Sequence, residues 1–204
     1  MNLREHSIIL RGERVVLRPM TENDWDILLK WNSDPQVLYY SEGDDVQAYN
    51  LEDINGIYRG VSQTAFCFIA EVNRQPVGEC WLQQMNLPRI LQKYPDQDCR
   101  RIDLMIGEKD WWGKGLGTEM IRLLTEFAFE QEHADRVYEP GIADYNPRSL
   151  KAFQKNGYQI VDTIEQPAGR KAHFGYDLSL TRSQYVLIHK PVGFTLHRSG
   201  RSFL

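Results

Sequence analysis

The sequence predicts a mixed α/β fold (α+β), a central sheet with helices on its faces, in the order β-α-α-β-β-β-α-β-α-β-β. Three observations predict it. The alternating run Arg101-Ile102-Asp103-Leu104-Met105-Ile106-Gly107 leads through the glycine-rich turn Trp111-Trp112-Gly113-Lys114-Gly115-Leu116-Gly117-Thr118 into a helix, in which Met120, Ile121, Leu123, Leu124, Phe127 and Ala128 recur at helical spacing. Residues 65–72 and 76–85 are strand-like and meet across Asn73-Arg74-Gln75-Pro76, which is hairpin chemistry. Asn146-Pro147 opens a late helix that Asn156-Gly157 ends.

Taken in order, Arg14–Pro19 reads as the first strand. Thr21-Glu22-Asn23-Asp24 caps a helix carrying Trp25, Ile27, Leu28, Leu29 and Trp31. Tyr39–Asp45 reads as a polar, aromatic loop, and Leu51–Arg59 as a second short helix. After the hairpin, a loop with Pro88, Pro95, Asp96 and Asp98 precedes the strand at 101–107. Beyond the glycine turn and its helix, Arg136–Ala143 is a strand with a bulge expected at Pro140-Gly141. Strands at 158–164 and 171–180 follow the helix that begins at Asn146-Pro147, and no internal repeat or low-complexity segment is present.

At 204 residues and 42% hydrophobic content, one well-buried domain is expected. No apolar run approaches the roughly 20 residues of a membrane helix, and Met1-Asn2-Leu3-Arg4-Glu5-His6 is too polar for a secretion signal. A cytoplasmic protein with no membrane partner is the expectation. Cys67, Cys80 and Cys99 form no C-x-x-C pair, so they read as reduced thiols; no histidine or acid spacing suggests a metal. The net charge is −4, but residues 182–204 hold Arg182, Lys190, Arg198 and Arg201 and no acid, so residues 1–181 carry −8. Such a body suits a cationic ligand better than a nucleic acid.

The glycine turn places unpaired amides and the positive end of a helix dipole where a phosphate can approach closely. It is not an ATP-binding P-loop, because Gly117 is followed by Thr118-Glu119 and not by Lys-Ser/Thr. Its G-x-G-x-G spacing also departs from the G-x-G-x-x-G of dinucleotide sites.

The chain resembles the GNAT superfamily of acetyl-CoA-dependent N-acetyltransferases over residues 8–181. The resemblance rests on Gly113-Lys114-Gly115-Leu116-Gly117-Thr118 and on Asn146-Pro147-Arg148-Ser149-Leu150 with Asn156-Gly157-Tyr158. More narrowly it is similar to aminoglycoside 6′-N-acetyltransferases, through Leu29-Lys30-Trp31 with Val37-Leu38, Gln75-Pro76-Val77-Gly78, and Ile102–Glu108 leading into Trp111–Gly115. The resemblance implies a mostly antiparallel central sheet flanked by helices and acetyl-CoA as cosubstrate. It implies that Trp112, Gly113, Lys114, Gly115, Leu116, Gly117 and Thr118 hold the pyrophosphate through their amides, with Asn146 as a second anchor. Backbone groups of Met105 and Ile106 would hold the pantetheine arm and polarise the thioester.

On the acceptor side the resemblance points to Asp103 and to Glu139. Alternation alone puts Ile102, Leu104 and Ile106 on one face of the strand and Arg101, Asp103 and Met105 on the other, leaving Asp103 either paired with Arg101 or serving a site. Glu42, Asp44 and Asp45, together with Tyr39, Tyr40 and Trp81, would complete a wall for a small polycationic amine. An amine of lysine-like pKa near 10.4 needs about 4.6 kcal/mol to be deprotonated at neutral pH. An ordinary aspartate is a weak base for that, so Asp103 is assigned first to binding and orienting the cation and then, as the catalytic residue, to proton removal directly or through water. Two positions depart from the family pattern: Trp112 replaces an Arg or Gln, and Phe153 stands where many members place a proton-donating tyrosine.

Three readings compete: an aminoglycoside or polyamine N-acetyltransferase, an acetyltransferase of protein N-termini or of another small-molecule amine, and a non-catalytic acyl-CoA-binding module, monomeric or homodimeric. Residues 182–204 form an extension whose apolar run Tyr185-Val186-Leu187-Ile188 fits an added strand, a dimer contact or a loose tail.

Overall fold

The computed structural model describes residues 1–43, 46 and 48–189. Eight strands form one sheet: β1 (Leu10–Arg11), β2 (Val16–Pro19), β3 (Ala65–Val72), β4 (Gln75–Gln84), β5 (Cys99–Met105), β6 (Arg136–Ala143), β7 (Gln159–Glu165) and β8 (Phe174–Thr181). Their order across the sheet is β1-β2-β3-β4-β5-β6-β8-β7, and every neighbouring pair is antiparallel except β5 with β6. The mixed, mostly antiparallel sheet expected from the sequence is therefore present.

One face is covered by α1 (Trp25–Asn32), α2 (Pro35–Ser41) and α3 (Leu51–Ser62), with Trp31, Ile54, Tyr58, Cys67 and Met105 buried between them and the sheet. The other face carries α5 (Leu116–Glu126) and α6 (Pro147–Lys155), and Phe68, Leu82, Ile102, Met120, Leu124, Phe153 and Leu178 are fully buried beneath them. Each such side chain contributes roughly 1.5–3 kcal/mol by leaving water, which fixes the helices against the sheet.

Several boundaries differ from the sequence reading. Tyr39, Tyr40 and Ser41 lie in α2 and not in a loop, because Asp34 caps the helix by accepting from the Gln36 amide and Pro35 occupies its first turn. Asp44 and Asp45 fall outside the described residues. The loop at Pro88 contains α4 (Pro88–Lys93), again opened by proline, and β1 adds an eighth strand. The hairpin turn is Asn73-Arg74, both at positive φ (51° and 64°), so β4 begins at Gln75. Residues 182–189 form α7 (Arg182–His189), which excludes the added strand there; Lys190, Arg198 and Arg201 lie outside the described residues. The expected bulge in β6 is present as a register shift between Glu139 and Ile142.

Candidate functional site

The glycine loop departs from the end of β5. Gly113 and Gly115 sit at φ +73° and +83°, conformations that side chains rarely adopt, and Gly115 caps α5. The Glu119 amide bonds to the Gly115 carbonyl at 3.2 Å, so the amides of Leu116, Gly117 and Thr118 ahead of it are the first-turn donors that a helix leaves without a partner. Gly113 and Lys114 lead directly into this turn, at the positive end of the α5 dipole. The Trp112 amide does not join them, since it donates to the Lys109 carbonyl at 3.0 Å. The Trp112 indole Nε1 donates instead to the Ile106 carbonyl, and the Lys114 ammonium lies 4.9 Å from the centre of the Trp111 ring. The Thr118 carbonyl accepts from Asn156 at the end of α6, tying the two helices together.

The two strands beside this loop diverge. Parallel pairing of β5 with β6 runs from Cys99↔Arg136 to Arg101↔Tyr138 and stops there. Past Arg101, β5 is paired only with β4, where Trp81 faces Asp103 and Glu79 faces Met105, while β6 bulges and follows β8. The result is a wedge-shaped gap whose β5 wall ends at Met105 and Ile106, directly before the amides of the loop.

Carboxylates gather at this gap. Asp103 is bound by the Arg101 guanidinium at 2.9 Å, yet 35% of its side chain remains exposed to solvent. Burial in the recess pushes its pKa up, against the pull of Arg101. Glu139 is pushed well above the usual carboxylate range by burial and by the charge of Asp103, and its Oε2 has no hydrogen-bond partner. Glu42, exposed just after α2, is raised by partial loss of solvent around its carboxyl and again by Asp103. Glu79 is 3% exposed, with an unpartnered Oε2, and is raised well above its ordinary value by burial, Asp103 and Glu42. The Trp81 indole Nε1 and the Arg101 Nε are likewise buried without a partner. Glu42, Asp103 and Glu139 thus lie within reach of Arg101, and Glu79 within reach of Asp103 and Glu42. This excess of acid, with the orphaned carboxyl oxygens of Glu79 and Glu139, suits a ligand bearing several N–H donors and positive charges.

Tyr40, predicted for the acceptor wall, belongs to an aromatic bridge that joins α2, the glycine loop and α6. It meets Trp112 edge to face at 5.6 Å, and the Arg148 guanidinium lies over both rings, at 4.4 and 4.8 Å. Asn146 is spent on the same bridge and on the cap of α6: its Nδ2 donates to the Tyr40 carbonyl and its Oδ1 accepts from the Ser149 amide. Phe153 is fully buried against Tyr158 and offers no proton. The structure thus brings Asp103, Glu139, Trp81 and Glu42 together, with the loop residues at the end of the same strand. Glu79 was not among the sequence candidates, although a lone carboxylate inside Val77-Gly78-Glu79-Cys80-Trp81-Leu82 is the same signal that marked Asp103.

Among the described residues no group of histidines, cysteines and acids is placed to hold a metal, and no helix is long and apolar enough to cross a membrane.

A model of the acetyltransferase (GNAT) domain matches residues 14–159. The aminoglycoside N(6′)-acetyltransferase type 1 of Klebsiella pneumoniae is 23% identical over 175 residues, covering 83% of this chain and 86% of its own. An uncharacterised N-acetyltransferase, p20, of Bacillus licheniformis is 26% identical over 188 residues, covering 87% of this chain and 98% of its own. Among solved structures, aminoglycoside acetyltransferase AAC(6′)-Ib in complex with coenzyme A and kanamycin superposes with a TM-score of 0.66 at 21% identity, over 84% of this chain and 96% of that one. Spermidine N-acetyltransferase of Vibrio cholerae, in complex with CoA and spermine, gives 0.70 at 13% identity, over 86% and 99%.

Proposed function

The chain belongs to the GNAT acetyltransferase family, and on that premise we propose that it moves the acetyl group of acetyl-CoA to a primary amine of a small polycation, the 6′-amine of an aminoglycoside first among them. The observation that carries the acceptor class is the excess of acid at the open end of β5, where Glu42, Glu79, Asp103 and Glu139 cluster with Arg101 as the one cation acting on three of them. A neutral or acidic acceptor would leave those charges unanswered.

In this reading the amides of Gly113 to Thr118 hold the pyrophosphate at the head of α5. The pantetheine arm follows the β5 edge, where backbone groups of Met105 and Ile106 orient the thioester. Polarising the thioester carbonyl needs a donor, so that role falls to backbone amides in this stretch, while the Ile106 carbonyl accepts from the Trp112 indole. Asp103 holds the ammonium of the acceptor, with Trp81 beside it and Glu139 across the gap. Asn146 supports the second helix through its cap and its tie to Tyr40. With Phe153 in place of a hydroxyl, the departing thiolate takes its proton from the amine side or from solvent.

The test follows thiol release from acetyl-CoA with kanamycin, spermidine and N-terminal peptides in parallel. Release with kanamycin and its loss in Asp103→Asn, with CoA affinity retained, is the expected result. Release with spermidine alone moves the acceptor to linear polyamines, and release with peptides alone overturns the polycation reading.

A further inference from the structure

Helix α2 is fastened at its two ends to the two segments that leave the diverging strands. At its start the Lys109 ammonium, just before the glycine loop, binds the Asp34 carboxylate at 2.6 Å and the Gln36 side-chain oxygen at 3.1 Å. At its end the attachment passes to the other side. A helix leaves its last carbonyls without partners of its own. Those of Tyr39 and Tyr40 accept from the Tyr145 hydroxyl at 3.2 Å and from Asn146 Nδ2 at 3.1 Å, both beyond β6. Helix α2 therefore straps the segment after β5 to the segment after β6.

One side chain closes this strap onto the glycine loop. The Arg148 guanidinium, exposed in the first turn of α6, lies 4.4 Å from the centre of the Tyr40 ring and 4.8 Å from that of Trp112, and the two rings meet edge to face at 5.6 Å. Trp112 stands at the entrance of the loop, where its indole bonds to the Ile106 carbonyl. Tyr40 precedes by two residues Glu42, which lies within reach of Asp103. Arg148 thus touches one residue of the loop and one of the acceptor wall. The dipole of α6 disfavours a cation in its first turn, and the two ring faces supply the attraction that holds it there. The reason for an arginine at this position lies outside its own helix.

We propose that Arg148 is a positioning residue: by holding Tyr40 against Trp112, it makes the seating of CoA in the glycine loop and of the polycationic amine beside Glu42 strengthen each other. This rests on the acetyltransferase reading above. With CoA on the amides that follow Trp112, the ring at the loop's entrance is fixed. That ring fixes Arg148, and Arg148 fixes Tyr40 and the turn that carries Glu42, so an amine arriving second meets a wall already ordered. The coupling is reciprocal: whatever factor CoA gives the amine, the amine gives CoA. An exposed cation over an aromatic ring multiplies an equilibrium by about two- to fivefold, and two such contacts set the coupling at about 4–20-fold.

Calorimetry measures kanamycin binding with and without saturating CoA, and CoA binding with and without kanamycin, on wild type, Arg148→Gln, Arg148→Lys and Tyr40→Leu. Spermidine takes the place of kanamycin if thiol release identifies it as the acceptor. Wild type is expected to bind the amine about 4–20-fold tighter when CoA is present, with the same factor for CoA when the amine is present. Arg148→Gln should bring both factors to within about twofold of unity, with the affinity of the unliganded protein for CoA unchanged. Arg148→Lys keeps a cation over the rings and should keep part of the factor. Tyr40→Leu should lose it, and the double variant with Arg148→Gln should lose no more than either alone, as partners in one contact do. In turnover at saturating acetyl-CoA, Arg148→Gln should raise KM for the amine and leave kcat within about twofold, the mark of lost binding and not of lost chemistry. Both side chains are exposed, and melting confirms that the variants fold. A wild type that binds both ligands without coupling, or a factor unchanged in Arg148→Gln, overturns the proposal and leaves the acetyltransferase reading standing. A loss of CoA affinity that disappears with dephospho-CoA also overturns it, because Arg148 then serves a phosphate. A wild type that binds CoA but neither binds nor acetylates any amine overturns the acetyltransferase reading, and the proposal with it.

Discussion

The Trp112 indole Nε1 donates to the Ile106 carbonyl at 2.7 Å, so the residue entering the glycine loop is tied back to the end of the strand that precedes it. The tie closes the turn between β5 and α5 and sets where the loop amides point. Trp112→Phe keeps an aromatic ring but leaves that carbonyl without its donor, which should cost about 0.5–1.5 kcal/mol. The urea midpoint should fall accordingly and the calorimetric Kd for CoA should rise several-fold. An unchanged Kd would show that the loop holds its shape without the bond.

Gly115 is at φ +83° and a Cβ there would stand 3.3 Å from the Arg14 Nη2, whereas Gly113 at +73° opens onto free space. Alanine at either position meets the left-handed penalty of about 1–2 kcal/mol. Only Gly115→Ala also crowds the cap of α5. Both variants should melt lower, by about 2–4 °C per kcal/mol in a chain of this size, and Gly115→Ala should lose more CoA affinity than Gly113→Ala. Equal losses would locate the requirement in backbone conformation alone.

Most of the sheet and the loop were legible in the sequence because they depend on local pattern: alternation around Asp103, three spaced glycines before an amphipathic helix, and Asn146-Pro147 as a helix start. Two short helices escaped because proline at their first turn reads equally well as loop chemistry, at Pro35 and Pro88. The candidate acceptor site was half legible. Asp103 and Glu139 came with the family resemblance, and Glu42 was one of three loop acids. Glu79 was hidden because its significance arises from register, through its place opposite Met105, and from burial under α3, neither of which local spacing encodes. Asn146 shows the converse. Its position was anticipated, but its side chain is committed to its own helix cap at Ser149 and to Tyr40, 106 residues away.

Arg18 on β2 clasps Asp24 with its two terminal guanidinium nitrogens, at 2.9 and 2.7 Å, and reaches Glu71 with Nε at 2.7 Å. Asp24 is 6% exposed. Burial alone would raise its pKa, but the bonds from Arg18 and the Thr21 amide outweigh it and hold the carboxyl below its ordinary value. A depressed folded pKa gives stability above the unfolded value of about 3.9 that is lost as pH falls through the folded one. Arg18→Met strands a buried carboxylate, a change that costs about 3–5 kcal/mol when a pair is fully enclosed. The 28% exposure of Arg18 places the expected loss at the lower end. Denaturant titrations should show the gap between wild type and variant at neutral pH narrowing as pH drops below about 4. A gap that stays constant across that range would mean the ion pair contributes through packing and not through charge.

Helix α7 closes the underside of α5 in a way that decides whether residues 182–189 are dispensable. After Glu126 the helix widens into a π-helical turn at Phe127–Gln131, which leaves carbonyls without their usual partners. Arg182 supplies donors from outside: Nη1 to the Phe129 carbonyl and Nη2 to the Ala134 carbonyl, each at 2.8 Å. Three residues on, Tyr185 is 4% exposed and stacks on Phe129 with ring centres 4.8 Å apart. Removing that ring takes apolar area and a stacking partner from a core that extends to Met120 and Leu124 at the back of the glycine loop's helix. Tyr185→Ala should therefore cost about 3–5 kcal/mol, the loss typical of a buried aromatic, and a chain ended after Thr181 should lose at least as much, together with CoA affinity. Urea unfolding and CoA calorimetry on both variants measure this, and a truncated chain as stable as the full one would mark α7 as an attachment to a core that stands without it.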